Sequence, residues 1–132
     1  MSELRILLID DSAADAELVK LTLRGVGEVE HCTSLASALA RLADATLASP
    51  SVVLLDLSLP DSHGLATLDR LAAVGPPPVL VMTGDDDPAH ERAVLARGVR
   101  AFVKKGETGG DALARLVREA ARDAPARVGS RP

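Results

Sequence analysis

The chain has 132 residues, the length of one ordinary domain, and its 47% hydrophobic and 26% charged content can build a core, which excludes a disordered or fibrous protein. A formal net charge of −4, with one Phe and no Tyr or Trp, leaves neither a basic stripe for a nucleic-acid backbone nor an aromatic platform for bases. Cys32 is alone, which excludes a disulfide framework or cysteine-rich zinc site within the chain, and no apolar run nears the ~20 residues of a membrane span or forms a signal pattern.

A cytoplasmic domain without nucleic-acid or membrane partners is therefore expected. Leu4 to Ile9 is a nearly continuous apolar run, the pattern of a strand covered on both faces. Ser12 offers a helix N-cap with Asp15 three residues on, as in a capping box, and Ala14, Leu18 and Leu21 form an apolar stripe that runs towards Gly25. Glu28 to Cys32 is shorter and more polar, which suits an edge strand. Ser34 caps a second helix, in which Leu35, Ala38, Leu39 and Leu42 share one face.

Ser51 to Leu55 is a third strand, β-branched at its start. After a loop, Leu65, Leu68, Leu71 and Ala72 mark a short third helix that Pro76-Pro77-Pro78 halts. Val79 to Met82 is the fourth strand, and Asp86 or Asp87 precedes Pro88 at the first position of a fourth helix ending at Gly98. Ala101 to Val103 is a brief fifth strand, and Leu113, Leu116, Val117 and Ala120 line one face of the last helix. Residues 1–123 form one domain on this pattern; residues 124–132 have no periodicity and are expected to be a flexible tail.

A (βα)5 alternation requires a doubly wound α/β fold, a flavodoxin-like parallel sheet in the order 2-1-3-4-5 with helices on both faces. Ligands of such sheets bind beyond the carboxyl ends of the strands, at the switch point between strands 1 and 3. Strand 1 ends in Asp10-Asp11, strand 3 in Asp56, strand 4 in Thr83 and strand 5 in Lys104-Lys105, so carboxylates, a hydroxyl and an ammonium are expected on one rim. Three carboxylates repel one another unless a cation intervenes, and an all-oxygen donor set suits Mg²⁺. A carboxylate between a metal and a lysine is a plausible nucleophile towards phosphorus, because both cations neutralise the transferring group. Arg outnumbers Lys twelve to three, so two adjacent lysines are not merely generic surface charge.

Asp10-Asp11, the run Leu54-Leu55-Asp56-Leu57-Ser58-Leu59-Pro60-Asp61-Ser62-His63-Gly64, Met82-Thr83-Gly84, and Phe102-Val103-Lys104-Lys105-Gly106-Glu107 resemble the receiver domains of two-component response regulators, whose minimal form is CheY-like. The resemblance covers residues 4 to 122 and implies a signalling switch rather than an enzyme, apart from assisting its own phosphoryl transfer and dephosphorylation. It implies Asp56 as phosphoacceptor, Asp11 as direct metal ligand, Asp10 as a ligand through water and the Ser58 backbone carbonyl as a further ligand. It implies Pro60 and Gly64 as loop-shaping residues, Thr83 as the hydroxyl that moves towards the phosphate, Phe102 as the aromatic whose rotamer follows, and Lys105 as the phosphate-binding lysine. Alternation along the strand turns Lys104 away from Lys105, and Gly106 stands where the family often has Pro.

A sensor histidine kinase as donor and a downstream protein at the helix 4, strand 5 and helix 5 face are likewise implied, with dimer formation left open. Taken singly, Asp10-Asp11 reads as favouring a helix dipole, Thr83-Gly84 as a turn and Phe102 as core. The landmarks together, in order and at matching strand ends, separate the functional reading from these. The alternatives are a phosphorylation-independent adaptor of the same fold and a flavodoxin-like cofactor protein; the second needs a Gly-rich phosphate loop and aromatic stacking that are missing. His31, His63 and His90 have no metal spacing and read as structural or surface residues, and Cys32 as a buried small hydrophobe. With no DNA-binding or catalytic segment after the last helix, a stand-alone regulator or a receiver cut from a longer chain is expected.

Overall fold

The computed structural model describes residues 4–84, 87–105 and 110–122. Asp86, Gly106 and the tail 124–132 lie outside the described residues. The elements run β1 (Leu4–Ile9), α1 (Ala13–Thr22), β2 (Gly27–Cys32), α2 (Leu35–Ala43), β3 (Val52–Asp56), β4 (Ser58–Leu59), β5 (Ser62–His63), α3 (Gly64–Ala72), β6 (Val79–Thr83), α4 (Pro88–Leu95), β7 (Ala101–Lys104) and α5 (Gly110–Arg122). Five strands form one parallel sheet in the order β2-β1-β3-β6-β7, which is the expected 2-1-3-4-5 once β4 and β5 are set aside.

Strand alternation divides the core into two layers. Ile6 and Leu8 of β1, Val52 and Leu54 of β3, and Leu80 and Met82 of β6 face α1 and α5, meeting Val19, Leu23, Leu113 and Val117. Leu7, Ile9, Val53, Leu55 and Val81 face the other way, onto Leu35, Ala38, Leu68, Leu71 and Val94 of α2, α3 and α4. Both faces of the central strands are thus dry, which is why they read as unbroken apolar runs. β2 alternates half-buried and exposed residues, as an edge strand does. Its first residue must be glycine, since a Cβ at Gly27 would stand 2.3 Å from the Leu4 carbonyl oxygen.

Three expectations need correction. Ala14, Leu18 and Leu21 do not face the core: Leu18 and Leu21 are 62% and 56% exposed, and α1 buries Ala16 and Val19 instead. The segment after Asp56 is not a plain loop, because Ser58–Leu59 and Ser62–His63 pair as a small antiparallel hairpin. Cys32 is half-buried at the end of β2 rather than enclosed. The caps at Ser12, Ser34 and Asp87 form, each accepting a backbone N–H of the helix it starts. Among the described residues no helix is long and apolar enough to cross a membrane.

Candidate functional site

The first polar residues beyond β1, β3 and β7 meet at one end of the sheet. Asp10 extends β1 by one rung, its N–H donating to the Cys32 carbonyl at 3.0 Å, and its side chain is fully buried. Asp11, next in the alternation, is exposed. Asp56 is the last residue of β3 and is buried. The Lys105 N–H donates to the Thr83 carbonyl at 2.8 Å, which carries the β6–β7 ladder past its last strand residue and aims the lysine back over the rim.

The Lys105 ammonium donates to three carboxylates: Asp15 Oδ2 at 2.7 Å, Asp10 Oδ2 at 3.0 Å and Asp56 Oδ2 at 3.1 Å. An ammonium has three N–H donors, so the three bonds match its full capacity. The other oxygens of Asp10 and Asp56 are tied locally: Ser12 N–H donates to Asp10 Oδ1 and Ser58 N–H to Asp56 Oδ1, both at 2.9 Å. Burial lifts the Asp56 carboxyl above its ordinary range, partly offset by the Ser58 N–H and by Lys105. Burial would lower the Lys105 ammonium, but the bonds from Asp15, Asp10 and Asp56 outweigh it and hold the group charged above its usual range.

One carboxylate oxygen from each of Asp10, Asp11 and Asp56 lies within 4.8 Å of the others. Asp10, Asp15 and Asp56 bond one ammonium, and Asp11 adds a fourth, exposed carboxylate beside Asp10 and Asp56, so negative charge is in excess. That oxygen donor set, with an open side for waters, fits a hard divalent cation such as Mg²⁺. Ser58 lies in β4, one bond from Asp56, and the hairpin it starts returns to Gly64, whose N–H donates to the Leu57 carbonyl at 3.1 Å. Gly64 has φ +63°, a backbone state that glycine adopts without strain, which suits it to follow the hairpin directly into α3. Pro60 is exposed at the hairpin tip.

Thr83 closes β6 and is buried; the register sets Met82 beside Asp56, so Thr83 lies one residue beyond it on the neighbouring strand. Phe102 pairs in register with Val81 on the α4 side of the sheet, half-buried, with its ring edge-on to the His90 ring at 6.3 Å. Lys104 pairs in register with Thr83, while Lys105 reaches the three carboxylates.

Sequence reasoning missed three participants. Asp15 was given to the helix cap. Asp61 accepts the N–H groups of Leu35 and Ala36, both at 2.9 Å, and so ties the hairpin to the start of α2. His31 bonds the Asp10 backbone carbonyl. Contacts across 90, 26 and 21 residues carry no local signal.

The family described as the response regulator receiver domain matches residues 6–117. A protein-glutamate methylesterase/protein-glutamine glutaminase of Anaeromyxobacter dehalogenans is 40% identical over 108 residues, covering 81% of this chain and 31% of that protein. The chain spans about a third of the length of the curated relatives it matches. Among solved structures, a CheY-like receiver domain protein from Methanospirillum hungatei superposes with a TM-score of 0.79 over 92% of this chain and 95% of that one, at 24% identity, a likeness of fold. The Mn²⁺-bound form of response regulator Rcp1 is 26% identical, with a TM-score of 0.71 over 88% of this chain and 90% of that one.

Proposed function

The chain belongs to the response regulator receiver domain family, and from that premise we propose that Asp56 accepts a phosphoryl group from a sensor histidine kinase in the cytoplasm. The observation that carries the proposal is the Lys105 ammonium bonded to both Asp56 and Asp10, with Asp11 beside them at the strand ends. Asp11, Asp56 and the Ser58 backbone carbonyl would hold Mg²⁺, with Asp10 bound to it through water. When bound, the cation neutralises charge on the transferring phosphoryl oxygens.

The chain's own residues supply the rest. The Ser58 N–H and the Lys105 ammonium keep Asp56 usable as a carboxylate against the cost of its burial. An Asp56 oxygen attacks phosphorus, the P–N bond to the kinase histidine breaks, and the imidazole leaves with the bonding pair. Lys105 then donates to a phosphoryl oxygen in place of Asp56 Oδ2, and Thr83 turns its hydroxyl towards another. Phe102, packed on α4 through His90, follows Thr83 and alters the face built by α4, β7 and α5, where a downstream protein binds.

Beryllofluoride with Mg²⁺ tests this directly as a phosphoryl mimic. The wild-type chain is expected to bind it and shift amide resonances around Asp56, Thr83 and Phe102, and Asp56→Asn is expected not to respond. Identical spectra for the two proteins would remove Asp56 from the mechanism.

A further inference from the structure

Asp15 makes the shortest of the three bonds to Lys105, yet the helix cap does not need its side chain. In a capping box the acid three residues past the cap turns back to the cap's own N–H. Here that N–H, of Ser12, donates to Asp10 Oδ1, and Ser12 Oγ accepts from the Asp15 backbone N–H at 3.1 Å. The cap is complete, and the Asp15 carboxylate is directed to the lysine instead.

Its surroundings differ from those of its two competitors. The Asp15 side chain is 36% exposed, against 1% for Asp10 and 9% for Asp56. Asp15 also borders a cavity of about 230 Å³ between α1 and α5, lined with Leu18, Thr22, Leu113 and Lys105. A phosphoryl group on Asp56 adds about −1.5 to −2 charge and three acceptor oxygens. It takes over the lysine's bond to Asp56 Oδ2 and must share the ammonium with Asp15 and Asp10, which hold its other two donors. Asp10 cannot give up its bond without leaving a buried charge unpaired, whereas water can replace the lysine at Asp15. Asp15 is therefore the partner whose hold on Lys105 is adjustable, and its own charge opposes the incoming group.

We infer that Asp15 is a positioning residue which anchors Lys105 at the rim and withholds part of its charge from Asp56, setting how tightly the site holds a phosphoryl group. The inference rests on Asp56 being the phosphoacceptor. Asparagine at 15 keeps an oxygen acceptor for the lysine and removes only the charge; glutamate restores the charge.

Beryllofluoride affinity at saturating Mg²⁺, followed by amide resonances because the chain has no Trp or Tyr, separates the cases. Asp15→Asn is expected to bind on the order of three- to tenfold more tightly than wild type, from one unit charge a few ångströms away at intermediate dielectric. The gain is expected to shrink as salt is raised, and Asp15→Glu to return towards wild type. Wild type that binds while Asp15→Asn binds no better overturns the inference and leaves the function standing, as does an Asp15→Glu that behaves like Asp15→Asn. A wild-type chain that fails to bind overturns both.

Discussion

Burial and hydrogen bonding pull on Asp56 in opposite directions, and burial prevails, so its carboxyl titrates above the ordinary range. A carboxyl whose pKa is raised on folding binds its proton more tightly in the native state than in the unfolded one. Its contribution favours folding at low pH and is lost as pH rises through the interval between the unfolded and folded values. At neutral pH the ionised Asp56 therefore strains the metal-free fold. Asp56→Asn, which imitates the protonated acid in shape and charge, is expected to melt higher than wild type at pH 7 without metal. The difference should narrow as pH falls through the raised native value towards the ordinary unfolded value of about 4, below which both states hold the proton. Thermal melts of both proteins across that range check it. A variant that is less stable than wild type at pH 7 would show that Lys105 and Ser58 compensate the burial in full.

Individual elements show how far local pattern carries. The strands were legible because central parallel strands, dry on both faces, leave almost uninterrupted aliphatic runs, and the first acid or lysine after each run marks the rim. α1 was legible as a helix but not in its orientation. Ala14, Leu18 and Leu21 satisfy helical spacing, and so do Ala16, Val19 and Leu23; only the sheet decides which set is covered. The hairpin at Ser58–His63 escaped notice since two-residue strands are too short to show a period. Substitution on α1 tests the assignment of faces. Leu18→Gln and Leu21→Gln are expected to change unfolding free energy by no more than about 0.5 kcal/mol, as for surface positions. Val19→Ala, which removes two buried methyl groups, should cost on the order of 2 kcal/mol. Denaturant melts giving the opposite order would mean that the helix is rotated.

At the scale of the whole molecule, the site draws β1, β3 and β7 together, with Lys105 reaching Asp10 across 95 residues and Asp56 across 49. Three carboxylates bond one ammonium there and Asp11 adds a fourth beside them, an excess of negative charge that exists only when the chain is folded. On the proposed function, a divalent cation at Asp10, Asp11 and Asp56 would bind the native state alone and stabilise it by mass action, about 2.7 kcal/mol at a hundred times the dissociation constant. Asp11 is the exposed member of that trio, so its charge owes little to packing, and on that reading it would serve the metal. On the proposed ligand set, Asp11→Asn would relieve repulsion in the metal-free protein and remove a direct ligand from the loaded one. Metal-free melts of Asp11→Asn are expected to match or exceed wild type, while added Mg²⁺ raises the wild-type transition and leaves the variant nearly unmoved. A large loss of stability in metal-free Asp11→Asn would mean that this acid supports the fold itself, and the strand ends would then owe their arrangement to structure rather than to a cation.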